Sequence, residues 1–245
     1  MCIRDRFQHH IVITGTDQGV GHLRRLLALI IAITILLSDS PAWATPLDER
    51  LHSWPDWSLP APLSRPSNRD DLIYPDWFSG LWQVESRDLD APADEPLIHQ
   101  ALFAPDARDR LVGDRSFNAM AIGRALLGEQ LLRVEDDPES ANRQIAWLKG
   151  DLRLETTVTG RRRETPDQTS FLADELVLQI LHAPGPPRLS RIETLSRYHR
   201  CGDEICAEQW QGRYASPGES LRDQAVAHHH YQLRFTPLPG SAPSA

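Results

Sequence analysis

From Trp77 to Phe235 apolar and polar residues alternate with a period of two, and that alternation excludes most folds before any motif is sought. Phe78, Gly80, Trp82 and Val84 alternate with Ser79, Leu81, Gln83 and Glu85. Leu152, Leu154, Thr156 and Val158 alternate with Arg153, Glu155, Thr157 and Thr159, and Ala227, His229, Tyr231, Leu233 and Phe235 with His228, His230, Gln232 and Arg234. Successive side chains of a strand point to opposite faces, so these segments read as antiparallel strands with one face on a core. Further strands are expected at Ile98–Phe103, Glu129–Val134, Gln144–Lys149, Phe171–His182, Arg191–His199 and Ile205–Tyr214, joined by links such as Gly150-Asp151 and Ala183–Pro187. Ser116–Leu127 is the one helix expected, with Gly128 placed to end it. The pattern predicts an all-β domain with one short helix over residues 77–236, a barrel or a sandwich, with the barrel preferred.

The flanks differ in kind. Pro46, Pro55, Pro60, Pro62, Pro66 and Pro75 punctuate residues 45–76, with Trp54 and Trp57 between them. This composition disfavours helix and sheet and predicts an extended arm along a polyproline path. Its indoles are costly to leave in water, so the arm packs back on the domain or docks on a partner, and packing in cis is the preferred reading. Residues 237–245, rich in Pro, Gly and Ser, read as a frayed tail.

Ahead of the arm, residues 23–44 have the parts of an export signal. Arg24 and Arg25 are followed by the apolar run Leu26–Leu37 and by Ala42-Trp43-Ala44, a small-x-small cleavage site. The run is shorter than the ~20 residues a spanning helix needs, so a cleaved signal is the preferred reading, with an uncleaved one as the alternative and the sole expected route to a membrane. Met1–Arg6 resembles the translation of a transposon-end sequencing adapter, so residues 1–22 read as an artefact and upstream residues. Without Cys2, the chain keeps Cys201 and Cys206, an even pair in an exported protein and therefore an expected disulfide. The formal charge is −8, and removing the leader takes four arginines and three aspartates, leaving a slightly more acidic domain. Nucleic acid and anionic headgroups are poor partners for such a surface. The one basic cluster, Arg161-Arg162-Arg163, reads as a solvated hairpin end.

No catalytic or cofactor motif stands out. There is no Gly-x-Ser-x-Gly elbow, no His-Glu-x-x-His helix and no Gly-rich phosphate loop, so no cofactor is assigned. Cys201 and Cys206 have poor zinc spacing and lack a second cysteine pair. Of His228-His229-His230, only His228 and His230 share a strand face, which leaves a two-His metal site completed by His199 or a carboxylate geometrically open. Glu85, Glu175 and Glu193 fall within strands, where each either serves as an acid or base in a barrel interior or pairs with an arginine such as Arg115, Arg143, Arg191 or Arg197. Glu85, Glu175, Gln179 and Tyr198 are assigned as the residues lining a ligand site.

Two resemblances add to this reading. Gly80-Leu81-Trp82, following an extended arm, resembles the opening of lipocalins and their calycin relatives. That resemblance implies an antiparallel barrel in which Gly80 lets the arm pass close beneath and Trp82 closes the base under Arg234 of the last strand. The alternation itself puts Arg234 on the face opposite Phe235. A second resemblance runs from about Trp54 to about Phe235, through Trp54-Pro55-Asp56-Trp57, Leu72-Ile73-Tyr74-Pro75, Trp77-Phe78-Ser79-Gly80-Leu81-Trp82, Asp114-Arg115-Ser116-Phe117-Asn118, Asn142-Arg143 and Phe171-Leu172-Ala173-Asp174-Glu175. It is similar to an uncharacterised domain family of cyanobacteria and plastids, which implies export to the thylakoid lumen or periplasm and no known activity. The expected function is binding of a small apolar ligand, such as a pigment, lipid or tetrapyrrole, inside the barrel. The alternatives are an accessory factor that docks on a membrane protein complex through its arm, and an enzyme using barrel-lining carboxylates.

Overall fold

The computed structural model describes residues 45–216 and 223–239. The expected leader and the residues upstream of it, 1–44, lie outside the described residues, as does the end of the tail, 240–245.

Ten strands build one antiparallel sheet: β1 (Gly80–Asp88), β2 (Leu97–Pro105), β3 (Leu111–Gly113), β4 (Leu131–Asp137), β5 (Ser140–Leu148), β6 (Leu152–Glu164), β7 (Ser170–His182), β8 (Arg188–Cys201), β9 (Glu204–Tyr214) and β10 (Ala225–Pro237). Their order is β3-β2-β1-β10-β9-β8-β7-β6-β5-β4. Apart from β1 beside β10, every pairing joins neighbours in sequence, so mostly short links complete the topology. The sheet curls into a half-barrel whose edges, β3 and β4, do not pair with each other. The expected all-β class therefore holds, while closure is left to other elements.

One of those elements is α2 (Arg115–Leu127), the helix expected from sequence. Asp114 caps it by accepting from the Phe117 amide at 3.0 Å, and Gly128, at φ +55°, ends it in a conformation glycine adopts readily. The helix packs on β2 and β4, filling the gap between the two edges of the sheet. Asn118 acts there as a surrogate strand. Its Oδ1 accepts from the Leu102 amide at 2.7 Å and its Nδ2 donates to the Leu102 carbonyl at 3.0 Å, satisfying the edge of β2 just beyond β3.

The sheet carries apolar residues on both faces. On the concave face Trp82, Val84, Phe103, Phe171, Ile205 and Phe235 close around Phe78, which is wholly buried. Trp82 is buried as expected, and its Nε1 donates to the Phe78 carbonyl at 2.7 Å. Phe78 itself lies in a 3₁₀ turn, Asp76–Phe78, one step before the strand in which the alternation put it. On the convex face Leu172, Leu195, Trp210 and Tyr214 are covered by Leu47 and Trp57 from the arm.

The arm departs from its expected form. It opens with a second α-helix, α1 (Pro46–His52). Thr45 accepts from the Asp48 amide, Asp48 reaches back to the Thr45 amide, and Pro46 occupies the first turn, where its missing N–H is harmless. A count of prolines reads this stretch as helix-averse because it ignores where in the turn the proline stands. Packing in cis is observed: Trp57 is fully buried, its Nε1 donating to the Arg50 carbonyl at 2.8 Å, and Trp54 is half-buried beside His228 and His230. The arm then pairs briefly with the sheet, Ser64 with Arg161 and Ile73 with Val112, and delivers Leu72, Tyr74 and Trp77 to the concave core.

Close approach of arm to sheet occurs at Gly160, where a Cβ would meet the Leu63 Cβ at 2.9 Å. Gly80 is set apart by its backbone. Its φ of +113° starts β1 in a conformation that side chains disfavour. At the β8–β9 turn Cys201 and Cys206 form a disulfide with a Cα separation of 6.0 Å. No helix among the described residues is long and apolar enough to cross a membrane.

Candidate functional site

The concave face is filled at the Phe78 end and open at the other. There a cavity of about 340 Å³ lies between β5–β7, α2 and the arm. One side is apolar, formed by Leu72 and Tyr74 of the arm, Ile122 of α2, and Val158 and Val177 of the sheet. The other side carries two ion-paired arginines. Arg161 and Glu175, directly opposite in the β6–β7 register, meet at 2.6 Å, and Arg115 of α2 lies 3.2 Å from Asp71 of the arm and 3.8 Å from Asp136 of β4. Arg161 also donates to the Asp70 carbonyl at 2.7 Å, and Arg115 donates to the Ala141 carbonyl. The two guanidiniums thus tie arm and helix to the sheet and form the polar wall.

The charges of that wall compensate within the site. Burial raises the Asp71 carboxyl above its ordinary range despite Arg115. Burial also lowers the pKa of His99, which favours its neutral form, and its Nδ1 sits 3.0 Å from the Gln100 carbonyl, which leaves Nε2 as an acceptor. Tyr74 is pushed well above the usual phenol pKa, first by burial and then by Tyr198 and Glu175, so it stays a neutral hydroxyl. In the wall Asn142 donates to the Ser67 carbonyl at 2.7 Å, and its buried Oδ1 has no hydrogen-bond donor.

Of the residues assigned to a ligand site, the structure brings Glu175 alone to this cavity. Tyr198, on the same face, is packed into the aromatic cluster against Phe78 and Phe171. Gln179 lies four residues along β7 and accepts from Ser190 at 3.3 Å. Glu85 is on the convex face, paired with Arg87 at 2.6 Å, beside a polar depression of about 550 Å³ that also touches His199, Glu208 and Arg234. Arg234 does not cover Trp82. Strand alternation holds it on the convex face, 3.2 Å from Glu204, while Trp82 faces the other way.

His228 and His230 share the convex face as expected, yet each is engaged singly. His230 stacks on Trp210 and lies 3.2 Å from Glu208, and His228 meets the edge of Trp54. Among the described residues, Asp88, Asp90 and His229 form the group whose donor atoms could hold a cation, all within 4.8 Å of one another at the exposed end of β1 and β10. Arg161 is the main residue misread from sequence. The arginine triplet reads as a solvated end, but Arg161 is only 11 % exposed and faces inward. Arg115 and Asn118 were visible as a shared motif, and their roles depend on where α2 docks.

These features define a curled antiparallel β protein whose helix and arm enclose a half-polar cavity on the concave face. The chain belongs to the DUF6816 family, described as a domain of unknown function, which matches residues 66–239. That span takes in the whole sheet, α2 and the cavity. No curated protein and no solved structure matches the chain.

Proposed function

We propose that this protein binds a small, neutral, amphipathic molecule in the cavity between β5–β7, α2 and the arm, without chemistry of its own. One observation carries the reading. The cavity is apolar on one side and lined on the other by ion pairs that already neutralise each other, so a ligand with an apolar body and hydroxyl or carbonyl groups fits where a charged one would lack a partner. At about 340 Å³ it lies at the small end of ligand sites, suiting a one- or two-ring compound or a short acyl chain, whereas a tetrapyrrole or full lipid would protrude. Glu175 serves as partner to Arg161 rather than as acid or base. Docking on a membrane complex through the arm has less support, because Trp57 is fully buried in cis.

The placing of β1 beside β10 and the succession of hairpins support a calycin-like relationship for the half-barrel. The disulfide, together with the leader-like residues 23–44, supports export to a periplasm or thylakoid lumen in a cyanobacterial or plastid setting. The test is to purify the protein from its native host and record its absorbance and the mass spectrum of an organic extract. We expect a co-purifying compound that is lost from Val177→Trp, which fills the cavity while the domain stays folded. An extract identical for both proteins would refute the reading.

A further inference from the structure

Two carboxyl groups and one guanidinium are sealed between the arm and the convex face of the sheet. Glu193 of β8 is completely buried and accepts from Arg50 of α1 twice, Nε to Oε1 and Nη2 to Oε2, each at 2.7 Å. It accepts a third hydrogen bond from the Tyr214 hydroxyl of β9. Asp174 of β7 is equally buried, one diagonal step away on the same face, since it stands opposite Leu195 while Glu193 stands opposite Leu176. Neither Asp174 oxygen accepts a hydrogen bond. Arg50 is committed elsewhere: it holds Glu193, donates to the Ser58 carbonyl at 3.2 Å and lies 5.0 Å over the Trp57 ring.

The other charges nearby do not relieve Asp174. Arg162 of β6 stands directly opposite Asp174 but is partly exposed and donates to Glu164, which also accepts from the Leu47 amide. Arg197 of β8, on the other diagonal, is exposed and lies 3.6 Å from Glu208, and Arg191 of β8 is turned to the Ala215 carbonyl and Asp223. Glu175, on the opposite face of β7, belongs to Arg161. A carboxylate at Asp174 would therefore be a second buried negative charge beside one buried cation, Arg50. A carboxylic acid there can donate its proton to Glu193, which resolves both the missing hydrogen bond and the surplus charge.

We propose that Asp174 holds a proton shared with Glu193, and that its loss to solvent as pH rises releases α1 and Trp57 from the convex face of the sheet. The O–H bond of Asp174 breaks, the proton goes to water or hydroxide, and two carboxylates then face one guanidinium in a site of low dielectric. Burial, followed by the neighbouring Glu193, lifts the Asp174 carboxyl well above its ordinary range, in agreement with the geometry. The arm is the element that yields. Its first helix has seven residues, whereas Asp174, Glu193 and Tyr214 sit on strands paired on both sides. Release would uncover the apolar face formed by Leu172, Leu195 and Tyr214.

Hydrogen exchange of the full chain, read by mass spectrometry on the peptide covering residues 46–59 from about pH 4 to 9 and corrected for intrinsic rates, tests this directly. The expected result is protection that falls about tenfold or more with rising pH, while β7–β9 stay protected. Asp174→Asn, whose amide can still donate to Glu193, should hold protection level across the range. Glu193→Gln should also flatten the profile but lower protection at every pH, because Arg50 loses one of its two acceptor oxygens and the charge opposite it. A flat wild-type profile, or a slope that survives in either variant, overturns the proposal.

Discussion

Trp82 is the residue whose removal the concave core should feel most. The residue is 6 % exposed, and its indole N–H is spent on the Phe78 carbonyl, so Trp82→Ala opens a void and also removes the indole donor from that carbonyl. We expect a loss of about 3–5 kcal/mol in urea unfolding, and a midpoint equal to wild type would contradict the packing described. Two aspartates should give opposite pH dependences. Arg110 hydrogen bonds hold Asp106 at about 2, so its contribution is present above an ordinary carboxyl pKa near ~3.9 and is lost as pH falls toward 2. Asp174 is raised in the folded protein, so its contribution is complete below about pH 4 and is lost as pH rises toward its folded value. Asp174→Asn should therefore gain stability over wild type progressively above about pH 4, measured as the difference in urea midpoints. A difference independent of pH would mean that Asp174 titrates normally. From sequence, Glu193 reads as a strand carboxylate seeking an arginine. Its partner, Arg50, is 143 residues away in the arm, a distance no periodicity can bridge.

At the scale of elements, alternation located nine strands because each has a buried face, and Gly128 marked the end of α2 through its backbone conformation. β3 escaped because three residues are too few to show a period, and β4 starts late because Gly128–Gln130 forms a 3₁₀ turn. α1 escaped because its determinants, Thr45, Pro46 and Asp48, are positional and are swamped by the proline count around them. The arm's energetic part in the fold follows from what it covers. Deleting residues 45–66 exposes Leu172 and Leu195 of the convex core, takes away Leu63 over Gly160, and removes Arg50 from Glu193. We expect a clear fall in melting temperature, on the order of 10 °C or more, given that about 1 kcal/mol shifts a domain of this size by ~2–4 °C. A truncated protein that melts with the intact one would show that the arm is an ornament on a self-sufficient sheet. Gly160→Ala should act in the same direction more gently, since backbone and Leu63 must shift by tenths of an ångström.

For the whole molecule, the cavity depends on where three separately read pieces end up. Of the three strand carboxylates read from sequence as candidates for an interior, Glu175 faces the concave side, with Thr156 and Val158 of β6. That Arg161 points at it depends on the bulge between Val158 and Gly160, which shifts the register of β6. Arg115 and Asp71 meet only because α2 and the arm converge over the open edges of the half-barrel. The resulting balance of two arginines against carboxylates sets a testable preference. Glu175→Gln keeps an acceptor for Arg161 but removes its charge, leaving that guanidinium without an ion-pair partner. An unpaired guanidinium in a partly buried site favours an anionic partner by roughly 1.5–3 kcal/mol when it forms a charge-assisted hydrogen bond. Wild-type protein should therefore bind octanol in preference to octanoate, and Glu175→Gln should swing that ratio toward octanoate by about tenfold or more, measured by calorimetry at neutral pH. Because Gln can still accept from Arg161, the fold should survive the change. An unchanged ratio would place any bound molecule away from the Arg161–Glu175 wall.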